Sequence, residues 1–209
     1  VCSYAIATSS VEPSESQIKD NGIPMTYKNH KILITGPVGA GKTTAIQAVS
    51  DIQVVNTDVA ASDATKNRKP QTTVAMDYGL VKLGEQQKIH LYGTPGQQRF
   101  NFMWEVLSEG ALGLILLLDN SRDDPQQDLA FFTQTFKDFI GKRAMAVGVT
   151  RFDEQATPTL DDYRDWMNGY SISVPIFGID ARERQDILSL LQVLVPSLDN
   201  SEAKNTAVA

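Results

Sequence analysis

Gly36-Pro37-Val38-Gly39-Ala40-Gly41-Lys42-Thr43 is the stretch on which the fold turns. These eight residues fit the pattern G-x-x-x-x-G-K-[ST], and the pattern has a physical basis. Glycines let a short loop turn so that its backbone N–H groups all face one anion. The helix that follows offers the positive end of its dipole to the same charge. Lys42 is then suited to the β- and γ-phosphates of a nucleoside triphosphate, Thr43 to a magnesium ion, and Thr44 to the same phosphate-binding segment. At average residue frequencies the four fixed positions arise by chance in about one chain in a hundred of this length. An ordinary glycine-rich turn is the bland alternative. The β-rich run 31–35 before the loop and the helix-compatible run 42–50 after it argue against that.

Outward from the loop, strands and helices alternate. Residues 72–83 and 88–92 are strand-like, with a turn around Gly84 and Glu85. Residues 112–118 and 144–149 are continuous apolar strands, of the kind buried on both faces. The run 128–140 carries Leu129, Phe132, Phe136, Phe139 and Ile140 at helical spacing. A helix is expected over 160–167 with Thr159 as its N-cap, a strand over 174–179, and an amphipathic helix over 184–195 that stops near Pro196. Residues 58–71 read as a long loop. The sum is an α/β protein of the P-loop NTPase kind: a mostly parallel sheet with one antiparallel edge strand and helices on both faces. In such sheets ligands bind beyond the C-terminal ends of the strands.

Bulk properties bound the function. With 209 residues, 42% apolar and 21% charged, the chain suits one ordinary globular domain. A net charge of -6 argues against nucleic acid as a partner and against adhesion to an anionic membrane. Cys2 is the single cysteine, which fits a reducing cytoplasm, and His30 and His90 are the only histidines, too few for a zinc site. The longest apolar run is far too short for direct membrane insertion. Residues 1–28 read as an N-terminal arm and 198–209 as a polar C-terminal tail around a domain at 29–197.

Three further segments carry a resemblance. His90-Leu91-Tyr92-Gly93-Thr94-Pro95-Gly96-Gln97 follows a strand, Thr150-Arg151-Phe152-Asp153 follows another, and Ile179-Asp180-Ala181-Arg182 follows the last. With the phosphate loop, they make the chain similar, over about residues 30–196, to the Ras-like small GTPases. Within these it resembles the bacterial branch of MglA-type gliding and twitching polarity GTPases and conservon-type GTP-binding proteins. The resemblance implies a Ras-like G domain that binds GTP/GDP with Mg2+, hydrolyses GTP slowly, and switches a partner. Gly96 would sense the γ-phosphate and Gln97 would orient the attacking water. Thr73, with Thr72 second, would close onto the metal from the first switch in 58–73. Arg68 or Arg99 would neutralise transition-state charge. Gly93 stands where most Ras-like proteins carry a metal-holding aspartate, and Asp77 is the candidate to help through a water.

For the base, Thr150, Arg151 and Asp153 correspond to the guanine motif [NT]-K-x-D, with arginine in place of lysine. Asp153 would accept two hydrogen bonds that adenine cannot offer. Asp180, Ala181 and Arg182 are similar to the S-A-K loop, whose alanine N–H meets the guanine oxygen. The resemblance also implies a roadblock-type (MglB-like) activator and an effector as protein partners, through which recruitment to a membrane or cell pole would run. Two rivals stand beside it: a non-hydrolysing GTP-bound scaffold and an ATP-using P-loop NTPase. His90 is read as a packed or partly exposed strand histidine rather than a catalyst. Trp104, with Phe100, Phe102 and Met103, is either a core contact or a partner surface.

Overall fold

In a computed structural model, residues 28–56, 76–84, 87–96 and 101–205 are described, by main chain alone for 101–103, 105 and 195–205. The elements run β1 (Lys28–Thr35), α1 (Lys42–Val49), β2 (Val55–Asn56), β3 (Asp77–Leu83), β4 (Gln87–Gly93), α2 (Asn101–Ser108) and β5 (Gly113–Asp119). They continue α3 (Pro125–Thr135), α4 (Lys137–Ile140), β6 (Ala144–Thr150), α5 (Leu160–Gly169), β7 (Ile176–Gly178) and α6 (Arg184–Asn205). The strands form one seven-stranded sheet in the order β2-β3-β4-β1-β5-β6-β7. From β4 to β7 every pairing is parallel, while β3 runs antiparallel to β4 and β2 antiparallel to β3.

Both faces of the parallel strands are covered, which explains their unbroken apolar runs. On one face Ile32, Ile34, Ile89, Leu91, Ile115 and Leu117 pack under α1 and α6. On the other, Leu33, Leu114, Leu116, Leu118, Val147 and Val149 pack under α2, α3 and α5. Every residue of β5 is buried. The α/β architecture with a mostly parallel sheet is therefore the one expected from sequence.

Four details differ. The antiparallel edge is two strands deep, because β2 adds a short exposed pair of residues with no alternation to betray it. The expected helix 128–140 is two helices that meet at Phe136, whose ring is buried against Trp104 while the chain turns. The 72–83 strand is β3, Asp77–Leu83, with 72–75 outside the described residues. Finally, α6 runs through Pro196 to Asn205. Proline there forfeits the bond to the Gln192 carbonyl, and Gln192 is exposed, so water can replace it. The Thr159 cap is present: its side chain accepts from the Asp162 N–H, and the Asp162 carboxylate accepts from the Thr159 N–H.

Candidate functional site

The phosphate loop leaves the C-terminal end of β1, at the centre of the sheet. Gly36 has φ 141°, and a Cβ there would lie 2.0 Å from the Leu117 carbonyl oxygen. Gly41, at the head of α1, has φ 89°, and its Cβ would lie 2.8 Å from that of Ala181. Glycine is demanded at both for space and for backbone sign. Lys42 is 9% exposed and donates from Nζ to the carbonyls of Gly36 (2.9 Å) and Pro37 (2.7 Å). Burial lowers its pKa to about 8, opposed by the nearby Asp77 carboxylate. Gly96 lies directly on this assembly. Its Cβ would meet the Lys42 Nζ and the Val38 nitrogen, both at 2.7 Å.

Beside the loop, the Thr43 hydroxyl donates to the Asp77 carboxylate at the start of β3. Asp77 is the register partner of Gly93. A Cβ at Gly93 would stand 3.1 Å from the Asp77 Cβ and 2.9 Å from Ile46 Cδ1, so the space of a side chain at 93 is taken by the one at 77. A hydroxyl and a carboxylate in contact beside a phosphate loop fit Mg2+, a hard cation that takes oxygen ligands and keeps several waters. Among the described residues no group of three or more His, Cys, Asp or Glu is placed to hold a metal. The fit is thus to an ion that draws its other ligands from phosphate and water.

The other end of the cleft, where the base contacts were expected from sequence, is built from the loops after β6 and β7. Gly39, Gly41, Thr44, Arg151, Asp153 and Ala181 line one cleft, together with Thr150, Glu154, Asp180 and Arg182. Thr150 is buried, its hydroxyl donating to the Leu118 carbonyl (3.0 Å). Arg151 takes a left-handed φ of 64°. Its Nη1 donates to Asp119 Oδ2 (2.8 Å) and its Nη2 to the Gly39 carbonyl (3.3 Å). Asp180 is gripped by Arg182 through Nη2 (2.6 Å) and Nε (2.9 and 3.0 Å). That grip holds the Asp180 carboxyl down at about 2. Arg182 Nη2 also stands 3.9 Å from Asp153, which is otherwise exposed.

The turn that carries Asp153 is anchored from below. Asn120 is fully buried, donates to the Gln155 carbonyl (2.6 Å) and accepts from the Tyr163 hydroxyl (2.9 Å). Burial and the neighbouring Asp119 raise the Tyr163 pKa, which keeps it a donor. Sequence reasoning missed both Asp119 and Asn120. The available signal was a carboxylate ending a wholly apolar strand, at the edge where such sheets bind ligands.

Gln97, Arg68, Arg99, Thr72, Thr73 and Phe100 lie outside the described residues, as does Cys2. Trp104 is 1% exposed, stacked on Phe136 and donating to the Pro95 carbonyl (3.0 Å), so it is a core residue. His90 is partly buried on β4 against the Tyr78 hydroxyl (2.8 Å), and burial lowers its pKa. No described helix is long and apolar enough to cross a membrane.

A glycine loop that opens from a central parallel strand onto a helix, with its lysine turned into the loop, defines a P-loop nucleotide-binding protein. The signature of a family described as conserved hypothetical ATP binding protein matches residues 34–169, and the chain belongs to that family. It is also similar to an uncharacterized protein of Methanocaldococcus jannaschii, with 32% identity over 98 residues. That match covers 47% of this chain and 56% of the relative, so the chain spans about half the length of the curated relative it matches.

Proposed function

We propose that the protein is a guanine-nucleotide switch that binds GTP and GDP with Mg2+ and hydrolyses GTP slowly. The observation that carries this is Asp153 on the rim of the cleft that begins at Gly39 and Gly41 and ends at Ala181. A carboxylate there can accept two hydrogen bonds from the guanine edge, a donor pair that adenine does not offer. Asp180, Ala181 and Arg182 line the same wall, with the Ala181 N–H as the donor to the base oxygen.

Lys42 and the loop N–H groups would bind the β- and γ-phosphates, and Thr43 with Asp77 would hold the metal. When bound, Mg2+ neutralises charge between those phosphates. Thr73 is the further metal ligand proposed from the first switch. Gly96, which lies against Lys42, is the residue proposed to register the γ-phosphate. Gln97 is the residue proposed to orient water, with Arg68 or Arg99 as the charge-neutralising arginine. Loss of the γ-phosphate would release the switch loops, and a roadblock-type activator and an effector are the partners proposed to use that change.

The description of the family favours a second reading, an ATP-using P-loop NTPase. Fluorescent mant-GDP and mant-ADP separate the two by equilibrium titration. Guanine selectivity of about 100-fold or more is expected, and Asp153→Asn should cost about tenfold in mant-GDP affinity and favour xanthosine nucleotides. Equal affinity for the two bases, or an unaffected Asp153→Asn variant, would sink the guanine assignment.

A further inference from the structure

We infer that Asp119 is a positioning residue for base recognition: it holds the Arg151 guanidinium so that the base loop and the phosphate loop act as one unit. The inference rests on the nucleotide site proposed above, though not on which base that site prefers.

Arg151 stands at the lysine position of the guanine motif. An ammonium is a compact charge, whereas a guanidinium is a plane with donors in a fixed fork. Arg151 uses the fork. Nη1 reaches Asp119 Oδ2 at 2.8 Å and the Ser121 hydroxyl at 3.4 Å, Nη2 reaches the Gly39 carbonyl at 3.3 Å, and Nε lies 3.8 Å from Glu154. These partners come from β5 and the turn after it, from the phosphate loop and from the base loop, so the plane is fixed from three sides.

Asp119 is built to serve as the fixed point. It ends β5, beside Thr150 on β6, and its side chain is only 4% exposed. Oδ1 accepts from the Ser121 N–H (2.9 Å) and hydroxyl (2.7 Å), which leaves Oδ2 for Arg151. The carboxylate cannot swing without breaking those bonds. Arg151 needs such a hold, because its left-handed φ of 64° is one that a non-glycine residue keeps only when its surroundings impose it. The held plane is on the wall of the cleft that Asp153 shares. A guanidinium face in that position can stack on a planar base.

The test is a double-mutant cycle on the full chain, read by mant-GDP binding and dissociation. Asp119→Asn and Arg151→Ala should each weaken binding about tenfold, chiefly by faster dissociation, and the double variant should be no worse than Arg151→Ala. Additive losses would overturn the inference, since Asp119 would then act independently of Arg151. Competition by inorganic tripolyphosphate should stay within about twofold of wild type in Asp119→Asn; a matching tenfold loss would mean general damage and also overturn it. If Asp119→Asn melts out, Ser121→Ala removes one of the two bonds that hold Oδ1 while keeping the carboxylate's charge. Its expected loss of about threefold should vanish in the Arg151→Ala background, and persistence there would count against the inference. The same cycle with mant-ADP separates the two claims. Tight mant-ADP binding ends the guanine assignment, while non-additivity in that cycle still upholds Asp119.

Discussion

The two ends of the cleft are made of different material. At the phosphate end, the loop is set by backbone shape: Gly36, Gly41 and Gly96 stand where a Cβ would lie within 3.0 Å of another atom. At the other end, the proposed base end, the loops are held by side-chain charge, with Arg151 on Asp119 and Arg182 on Asp180. Shape of the first kind tolerates no substitution, because van der Waals overlap has no substitute partner. Charge of the second kind can be rebuilt, which is how the proposed guanine site would accommodate Arg151 in place of lysine and Asp180 in place of serine. The secure part of the site is therefore the part with the fewest side chains.

The largest test of that contrast is Gly36→Ala. With φ 141° and a carbonyl oxygen 2.0 Å from the new atom, it should lose about 3 kcal/mol or more of stability by thermal denaturation. Gly39→Ala, with φ 88° and nothing within 4 Å, should lose about 1–2 kcal/mol. Equal costs would break the claim that close packing sets the loop. Lys42→Ala comes next: calorimetry should show triphosphate affinity falling about 100-fold, since charge-assisted bonds to phosphate disappear.

Asp77→Asn probes whether β3 supplies the metal carboxylate. The Mg2+ concentration that half-restores tight binding should rise about tenfold, with little change in EDTA. An unchanged Mg2+ midpoint would remove Asp77 from the metal site.

The smallest effect is in pH. With its pKa held near 8, Lys42 is charged at pH 7 and largely neutral at pH 9. Phosphate binding raises that pKa, so binding takes up a proton and triphosphate affinity should fall as pH rises through 8, by no more than about tenfold per unit. Lys42→Arg should flatten the profile, because arginine stays charged throughout. A slope that persists in Lys42→Arg would place the titrating group elsewhere.

The phosphate end was legible in sequence because its demands are local: glycines, lysine and threonine at fixed spacing between a strand and a helix. The strands β5 and β6 were legible for a similar reason, since burial on both faces leaves an unbroken apolar run. What escaped depends on pairing across the sheet. Nothing near Asp77 announces that it opposes Gly93, and nothing near Asp119 announces that Arg151, 32 residues later, reaches back to it. The halt expected at Pro196 and the unbroken helix expected over 128–140 came from reading local patterns where exposure of Gln192 and burial of Phe136 decide the path.

The two tryptophans, finally, divide the cleft between them as light emitters. Trp104 donates its indole N–H to Pro95, one residue before the Gly96 that rests on Lys42. Trp166 packs edge-on against Tyr163 at 4.9 Å, and Tyr163 bonds to the Asn120 that anchors the Asp153 turn. Each fluorophore thus connects, through a short chain of contacts, to one end of the cleft. With Trp104→Phe or Trp166→Phe, the remaining emission follows a single end, so events at the two ends of the cleft can be timed separately in an unlabelled protein.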